Sequence, residues 1–600
     1  MKQKNLLISL FSVLLLTIFA VCGWLEAAWG KQCDISAEVY ANGGIEKIRS
    51  WKNEAGEYFL FLPAYAELSR VSIRSDSEVP VFIENIPVTE DTVCSAFPLN
   101  TPLSLSYDTL FGSRQDTIFL VQPSKVPTMY IDVESGSMDF IHARKDNKEA
   151  GDLRIYGADG QLMNHCRLES MQGRGNATWG LEKNPYNIKL AAEESLLDMG
   201  RGQKWILLAN YYDRYHLRNK VAYDFARKVG LEFSPDSEWV SLYLNGEYAG
   251  LYLLCERNEV HPERVDISTD NSFLISREGW SKLTEQNDPY FGQKDWYGFR
   301  IHHAGMPPAE VERIWQSAEN ALLAEDGIDP VSGKYWLDLI DLDSWVLRYL
   351  MDEVFGNFDG GRISQFFYYD GNDGTGKIYA GPVWDMDNIT TDTWRTNPGC
   401  SFLAKLPNLL DERDKAPFYA ISQKAEFQDR LVELYRDVFL PQLEKLLESD
   451  LEKYEACIAQ SVALEGILYY QEDDYAMGPY LEERMAFLKD YWLDQESFCD
   501  ILVLVGEDVW GWLAVRPGEP LPPIHAEYLP GVYGYNDTLY RLDTGEPVDV
   551  TQPVYESFNV SFGYDGEGTD WMLVLPLSVF VLLLAALWFA DKRKNKSVRA

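Results

Sequence analysis

Three aspartates and one lysine stand out in this chain for the chemistry their spacing permits. Between Phe355 and Asn388, Asp359 is followed by two glycines, and Asp385 and Asp387 close the stretch just after Trp384. Between them the aromatic run Phe366–Tyr369 and a second apolar run bracket the turn Asn372–Gly376, the pattern of a β-hairpin. Carboxylates thus stand at both open ends of one hairpin. Such a grouping suits a divalent cation and a proton acceptor, the two needs of phosphoryl transfer. Solvation of a hairpin's ends accounts for it as well on local sequence alone.

A second stretch complements the first. The loop Gly173–Gly180 holds three glycines, Arg174 and Asn176, and the strand after it sets Tyr186, Ile188 and Leu190 on one face with Lys189 on the other. Backbone amides of a glycine-rich loop, followed by a strand lysine, can hold polyphosphate. The same combination is commonplace on protein surfaces.

These residues need elements to position them. Residues 31–125 are rich in short β-type runs (Tyr58–Leu62, Val79–Ile83, Thr117–Val121) and predict a small β-sandwich. Strands are predicted at Met129–Val133, around the turn Gly157–Gly160, and at Trp205–Asn210. Leu217, Val221, Phe225 and Val229 keep a four-residue repeat closed by Gly230, which predicts a helix carrying Arg218 and Asn219. Asn245-Gly246 between two apolar runs predicts a type I′ hairpin ending at Glu256. From Pro308 the chain turns helical, interrupted only by the acidic hairpin. The expected class is α+β, a two-lobed arrangement with a β-rich lobe before a helical one, at 126–500. A small β module at 501–562 and a linker at 563–570 follow.

A chain of 600 residues is too long for one core, and its net charge of −39 argues against a nucleic-acid partner. Lys2 and Lys4 before the apolar run Leu6–Cys22 predict a signal peptide, or an uncleaved anchor, over 1–30. Trp571–Ala590 carries no charge and is long enough for a transmembrane helix; the basic tail at 591–600 predicts a cytoplasmic end. The expected localisation is the cell membrane, single-pass, with a large extracellular N-terminal region. The cysteines after Cys22 show no metal-type spacing; one bridge, Cys33 to Cys94, could staple the first domain.

Taken together, five blocks in order resemble the CotH kinase family, the spore-coat-protein-H type of secreted atypical protein kinase. They are Arg174–Leu190, Asp213–Lys220, Leu244–Glu256, Asn357 to Tyr369, and Trp384-Asp385-Met386-Asp387. The resemblance implies ATP with Mg²⁺ or Mn²⁺ as cofactors. It implies a nucleotide-binding set of Arg174, Gly175, Asn176, Lys183, Lys189 and Glu256, with Lys189 on the phosphates and Glu256 at the hinge where the base sits. Asp359 takes the proton of a substrate hydroxyl, Asp385 holds metal, and Asp387 is a second ligand or support. The family usually has Asn before the aromatic run, where it helps hold metal. Gln365 stands there instead and is carried over as a metal ligand one methylene longer, which a magnesium site tolerates poorly.

The implied function is a membrane-anchored, outward-facing Ser/Thr protein kinase that passes the ATP γ-phosphate to surface or coat proteins. Its partners would be ATP, an extracellular protein substrate and the membrane through the C-terminal helix. The alternative is a catalytically inactive, kinase-like surface binding or adhesion protein, which Gln365 favours. A glycoside hydrolase using paired carboxylates leaves Lys189 and the glycine loop without a role.

Overall fold

The computed structural model describes residues 34–565 except 78, 90, 110–111, 280–281, 284–288, 295–296, 358, 391–416, 470–475, 495–496, 506–507, 523 and 527–533. The expected signal peptide, transmembrane helix and basic tail lie outside the described residues. Among the described residues, no helix is long and apolar enough to cross a membrane. The chain forms two compact units: among the described residues one comprises 34–390 and 417–485, the other 486–565.

The site is built on a barrel in the first unit. Strands β1 (Thr128–Val133), β2 (Lys148–Tyr156), β3 (Leu162–Gly173), β4 (Tyr186–Glu194), β5 (Gly202–Leu208), β6 (Ser237–Leu244) and β7 (Glu247–Glu256) close in the order β1-β2-β3-β4-β5-β7-β6. Neighbours are antiparallel except β1 and β6, whose parallel pairing shuts the ring. The alternation expected of β4 holds. Tyr186, Ile188 and Leu190 fill the bore with Ile155, Leu168, Trp205 and Leu254, and Asn187 and Lys189 are only half-buried on the opposite face. Burying such side chains stabilises the barrel by about 1.5–3 kcal/mol each. Asn245 and Gly246 join β6 to β7 at φ +51° and +85°, as the type I′ turn requires.

Helix α1 (Arg218–Lys228) carries the predicted apolar repeat. Asp213 accepts the Arg218 N–H at 2.7 Å, satisfying one of the free amides of the first turn. The helix ends where Gly230, at φ +94°, lets its own N–H reach Arg227 O (3.1 Å) and the Leu231 N–H reach Ala226 O (2.9 Å), a Schellman motif.

The predicted hairpin forms, but as the edge of a larger sheet. Strands β8 (Ser272–Gly279), β9 (Tyr290–Lys294), β10 (Tyr297–Ala304), β11 (Gln365–Asp370) and β12 (Ile378–Ala380) run in the order β9-β10-β8-β11-β12. Phe367 faces Ala380 and Tyr369 faces Ile378 across the hairpin. The sequence reading placed no strand between Asn258 and Pro308, and three form there. From Pro308 to Leu493 the named elements are helices apart from the hairpin, as expected, but the hairpin joins a sheet whose other three strands come before Pro308. Helices α2 (Pro308–Leu323) and α3 (Leu342–Val354) cover this sheet through Trp315 and Trp345, whose rings lie 4.8 and 5.1 Å from that of Phe367. Helix α4 (Leu451–Leu468) belongs to the same unit.

The expected β-sandwich is present as a three-stranded and a six-stranded sheet over one core. That core runs on to Tyr130, Tyr156 and Tyr243 of the barrel, so the sandwich and barrel share one compact unit. Cys94 is a buried free thiol whose titration burial pushes up to about 12, and Cys33 lies outside the described residues. In the second unit, Cys499–Val505, Asp508–Val515, Tyr535–Arg541 and Phe558–Tyr564 form a four-stranded β module.

Candidate active site

The glycine loop leaves β3 and folds back on itself. A side chain at Gly173 would overlap the Trp179 ring, and one at Gly175, which sits at φ +86°, would overlap Thr178. Those two positions need glycine for the loop to close. Asn176 stands exposed at the tip, and Lys145 donates to the Gly175 carbonyl at 3.1 Å. The Arg174 guanidinium lies 5.6 Å from the centre of the Trp384 ring, beside Asp385. Tyr223 of α1 stacks on the same ring at 6.0 Å. Loop, helix and acidic segment thus meet at one indole.

Helix α1 holds the acidic segment Trp384–Asn388 by its backbone. Asn219 Oδ1 accepts the Met386 N–H at 2.9 Å, and Arg218 donates to the Asp387 carbonyl (3.2 Å) and the Tyr212 carbonyl (3.0 Å). Asp385, just before Met386, sits at φ +60°, a left-handed conformation that a carboxylate side chain tolerates better than most. Its Oδ2 accepts from Ser364 Oγ at 2.7 Å and lies 3.9 Å from Lys282 Nζ. Lys282 is also 3.1 Å from Glu278 Oε2 and donates to Ser364 Oγ at 3.3 Å. Burial works against the charged lysine, but Glu278 and Asp385 outweigh it and hold its titration above the ordinary range.

Asp359 occupies a turn after α3. Its N–H donates to Asn357 Oδ1 at 3.2 Å, and Asn388 donates to its carboxylate. Asn388 follows Asp387 directly, so the two ends of the hairpin meet as expected. Asp387 itself is half-buried beside them.

The remaining predicted residues divide. Lys189 lies on the barrel's outer face with Asn187, whose ladder neighbours are Gln172, Ile206 and, beyond it, Cys255. Lys189 therefore lies on the same outward face of the barrel wall as Asn187, Ile206 and Cys255. Its ammonium pairs with Glu169 at 2.6 Å, both side chains being substantially exposed. Lys183, carried into the nucleotide set, is 0 % exposed and bonded instead to Glu465 of α4 (2.7 Å) and the Leu251 carbonyl (2.5 Å). A fully buried ammonium sealed by a carboxylate cannot also reach a solvent-borne phosphate. Glu256 pairs with Trp205 in the bore end of the barrel and accepts the Asp236 N–H at 2.9 Å, on the face of β7 away from Cys255. Strand alternation turns it from the Arg174 side. Gln365 Oε1 accepts from Arg348 Nε at 2.9 Å, so its lone pair already faces a cation.

Sequence reasoning missed Lys282, Glu278, Ser364, Asn388 and the Arg348–Asp352 pair. The i,i+4 spacing of Arg348 with Asp352 on one helix is the one local signal, and it points to that pair alone. Among the described residues, no three His, Cys, Asp or Glu side chains gather as a metal cage. Magnesium in nucleotide sites is held by one or two carboxylates plus substrate phosphates. Asp385 and Asp387, two residues apart on one segment, offer two carboxylates of that kind.

A sequence model described as CotH kinase protein matches residues 171–494, from within β3 to beyond α4. Arg174, α1, β7, Asp359 and Asp385 all fall inside the match. No curated protein matches the chain.

Proposed function

The chain belongs to the CotH kinase family, and on that premise we propose that it is a metal-dependent protein kinase transferring the ATP γ-phosphate to a Ser or Thr hydroxyl. The observation that carries this reading is Arg174 over Trp384, which puts the glycine loop against the acidic segment that follows the hairpin. The loop amides and Arg174 hold the phosphates. Lys189 joins them: its half-exposed pair with Glu169 is worth at most about 1 kcal/mol, so a phosphate draws it off at little cost. Asp385, with Asp387 beside it, would hold the divalent cation that neutralises phosphate charge. Asp359 accepts the proton of the acceptor hydroxyl, its carboxylate fixed by Asn388.

The proposal extends to location. The uncharged stretch 571–590 with the basic tail after it supports a membrane anchor, and the apolar run near the N-terminus supports export, so the kinase region would face outward. Its substrates would then be surface or coat proteins.

The test incubates the full chain with labelled ATP and Mg²⁺ or Mn²⁺, beside Asp359→Ala and Asp385→Ala. Label on the protein or an added acceptor, lost in both variants, is the expected result. No nucleotide binding with either metal would leave the surface-binding alternative in its place.

A further inference from the structure

Gln365 occupies the position where the family resemblance implied a metal ligand, and its surroundings give it a different task. Its side chain is 1 % exposed and accepts from Arg348 Nε at 2.9 Å. Arg348 in turn donates to Asp352 Oδ1 at 2.9 Å, and Asn357 Nδ2 donates to the same oxygen at 2.8 Å. The other end of the Asn357 carboxamide accepts the Asp359 N–H at 3.2 Å. A continuous line of hydrogen bonds therefore runs from β11, across α3, to the backbone of the turn that bears Asp359.

Every link before the last residue is sealed from water, with Arg348, Asp352 and Asn357 all at 1 % exposure or less. Water cannot replace a lost partner there, so the geometry of one link constrains the next. The turn is clamped on its other side as well. The Asn357 N–H reaches the Asp352 carbonyl (2.8 Å), and a side chain at Gly360 would overlap the Asp352 side chain and the Asn357 carbonyl. The extra methylene of glutamine has a physical use: it carries the carboxamide oxygen to the guanidinium on the neighbouring helix.

We propose that Gln365 is a positioning residue: it orients Arg348, and through Asp352 and Asn357 fixes the Asp359 turn, rather than binding metal. That this line serves catalysis rests on the kinase reading; that it orders the turn does not. Gln365→Asn separates the two roles, because it restores the side chain expected of a metal ligand while falling one methylene short of Arg348. Gln365→Glu keeps an acceptor at full reach.

The experiment measures amide hydrogen exchange at Asp359 and Gly360, and transfer rate against Mg²⁺ concentration, in the full chain. The expected result for Gln365→Asn is exchange faster by about tenfold at those amides. Transfer should fall by about 10- to 100-fold with the half-saturating Mg²⁺ unchanged, as for a misplaced reacting group. Gln365→Glu should stay within about threefold of the parent in both, since the Arg348 contact survives as a charge-assisted bond. Unchanged exchange in Gln365→Asn, or a lower half-saturating Mg²⁺, overturns the proposal. If the parent chain transfers no phosphate, the kinase reading fails, and the exchange rates still decide whether Gln365 orders the turn.

Discussion

Arg348 Nε and the Gln365 carboxamide oxygen lie 2.9 Å apart in a place that water does not reach. The pair joins a sheet strand to the helix preceding the Asp359 turn, and so ties the placement of one carboxylate to the packing of the surrounding core. Asp385 is held differently, by the end of a helix that packs against the barrel. The two acids meet through Asn388, which follows the Asp385–Asp387 segment and donates to Asp359. This division of support sets what each variant should do.

Asp359→Asn keeps the shape of the side chain and removes the proton acceptor. Transfer should fall by at least about 100-fold while nucleotide affinity stays within about threefold. Single-turnover transfer beside a nucleotide-binding titration checks both halves; a matching loss of affinity would put Asp359 in the binding machinery instead.

Asp385→Asn should weaken Mg²⁺-dependent nucleotide binding by at least about tenfold. Chelating the metal should bring the parent protein down to the level of the variant and leave the variant unchanged. Calorimetric titration with and without EDTA makes the comparison.

Asn219→Ala leaves the buried Met386 N–H without its acceptor. Loss of that partner should cost about 1–3 kcal/mol in urea unfolding and loosen metal-linked nucleotide binding as well. Asn219→Asp, which keeps an acceptor, should recover most of the binding.

Lys183→Met leaves the Glu465 carboxylate buried without its partner ammonium, with the His216 ring 3.6 Å away. Removing one partner of such a pair should destabilise by about 3–5 kcal/mol, and joint replacement with Glu465→Leu should cost less. Burial opposes the charged form of Glu465, but Lys183 and His216 outweigh it and hold its titration below the ordinary 4.5. Its contribution is therefore complete above about pH 4.5 and is lost as the pH falls below that. Acid unfolding of Glu465→Gln should show a correspondingly shallower slope than that of the parent.

Glu256 behaves in the opposite sense. Burial pushes its titration up to about 7 from 4.5, so the folded state binds this proton more tightly than the unfolded chain does. The carboxyl favours folding below pH 4.5, and that advantage drains as the pH rises towards 7, by up to about 3 kcal/mol in all. Glu256→Gln should flatten stability between pH 4.5 and 7 and be more stable than the parent at pH 8. Denaturant midpoints across that range provide the measurement, and parallel curves would remove Glu256 as the cause.

What the sequence determined by itself is what local periodicity encodes. The two-residue period of β4 put Tyr186, Ile188 and Leu190 in the bore and Lys189 outside. The four-residue repeat and Gly230 gave α1 and its end, Asn245-Gly246 gave the β6–β7 turn, and the Asp/Gly turn gave the β11–β12 hairpin with acids at its open ends. Arg174 and the aspartates were legible because glycines and isolated carboxylates mark a loop and its chemistry without help from distant residues. Strand β8 was not, because both its faces are covered and it buries Ser276, Arg277 and Glu278 among apolar residues, which erases the alternation that marks a strand. Tertiary structure alone decided which polar groups meet. Lys183 and Lys189 stand six positions apart, and only α4, arriving from far along the chain with Glu465, seals Lys183 and leaves Lys189 on the barrel's outer face, paired with Glu169. Pairing with Trp205 turned Glu256 into the barrel end, and α3 brought Arg348 to Gln365. A side chain's period fixes its face, but the partner it finds there comes from a segment that periodicity cannot see.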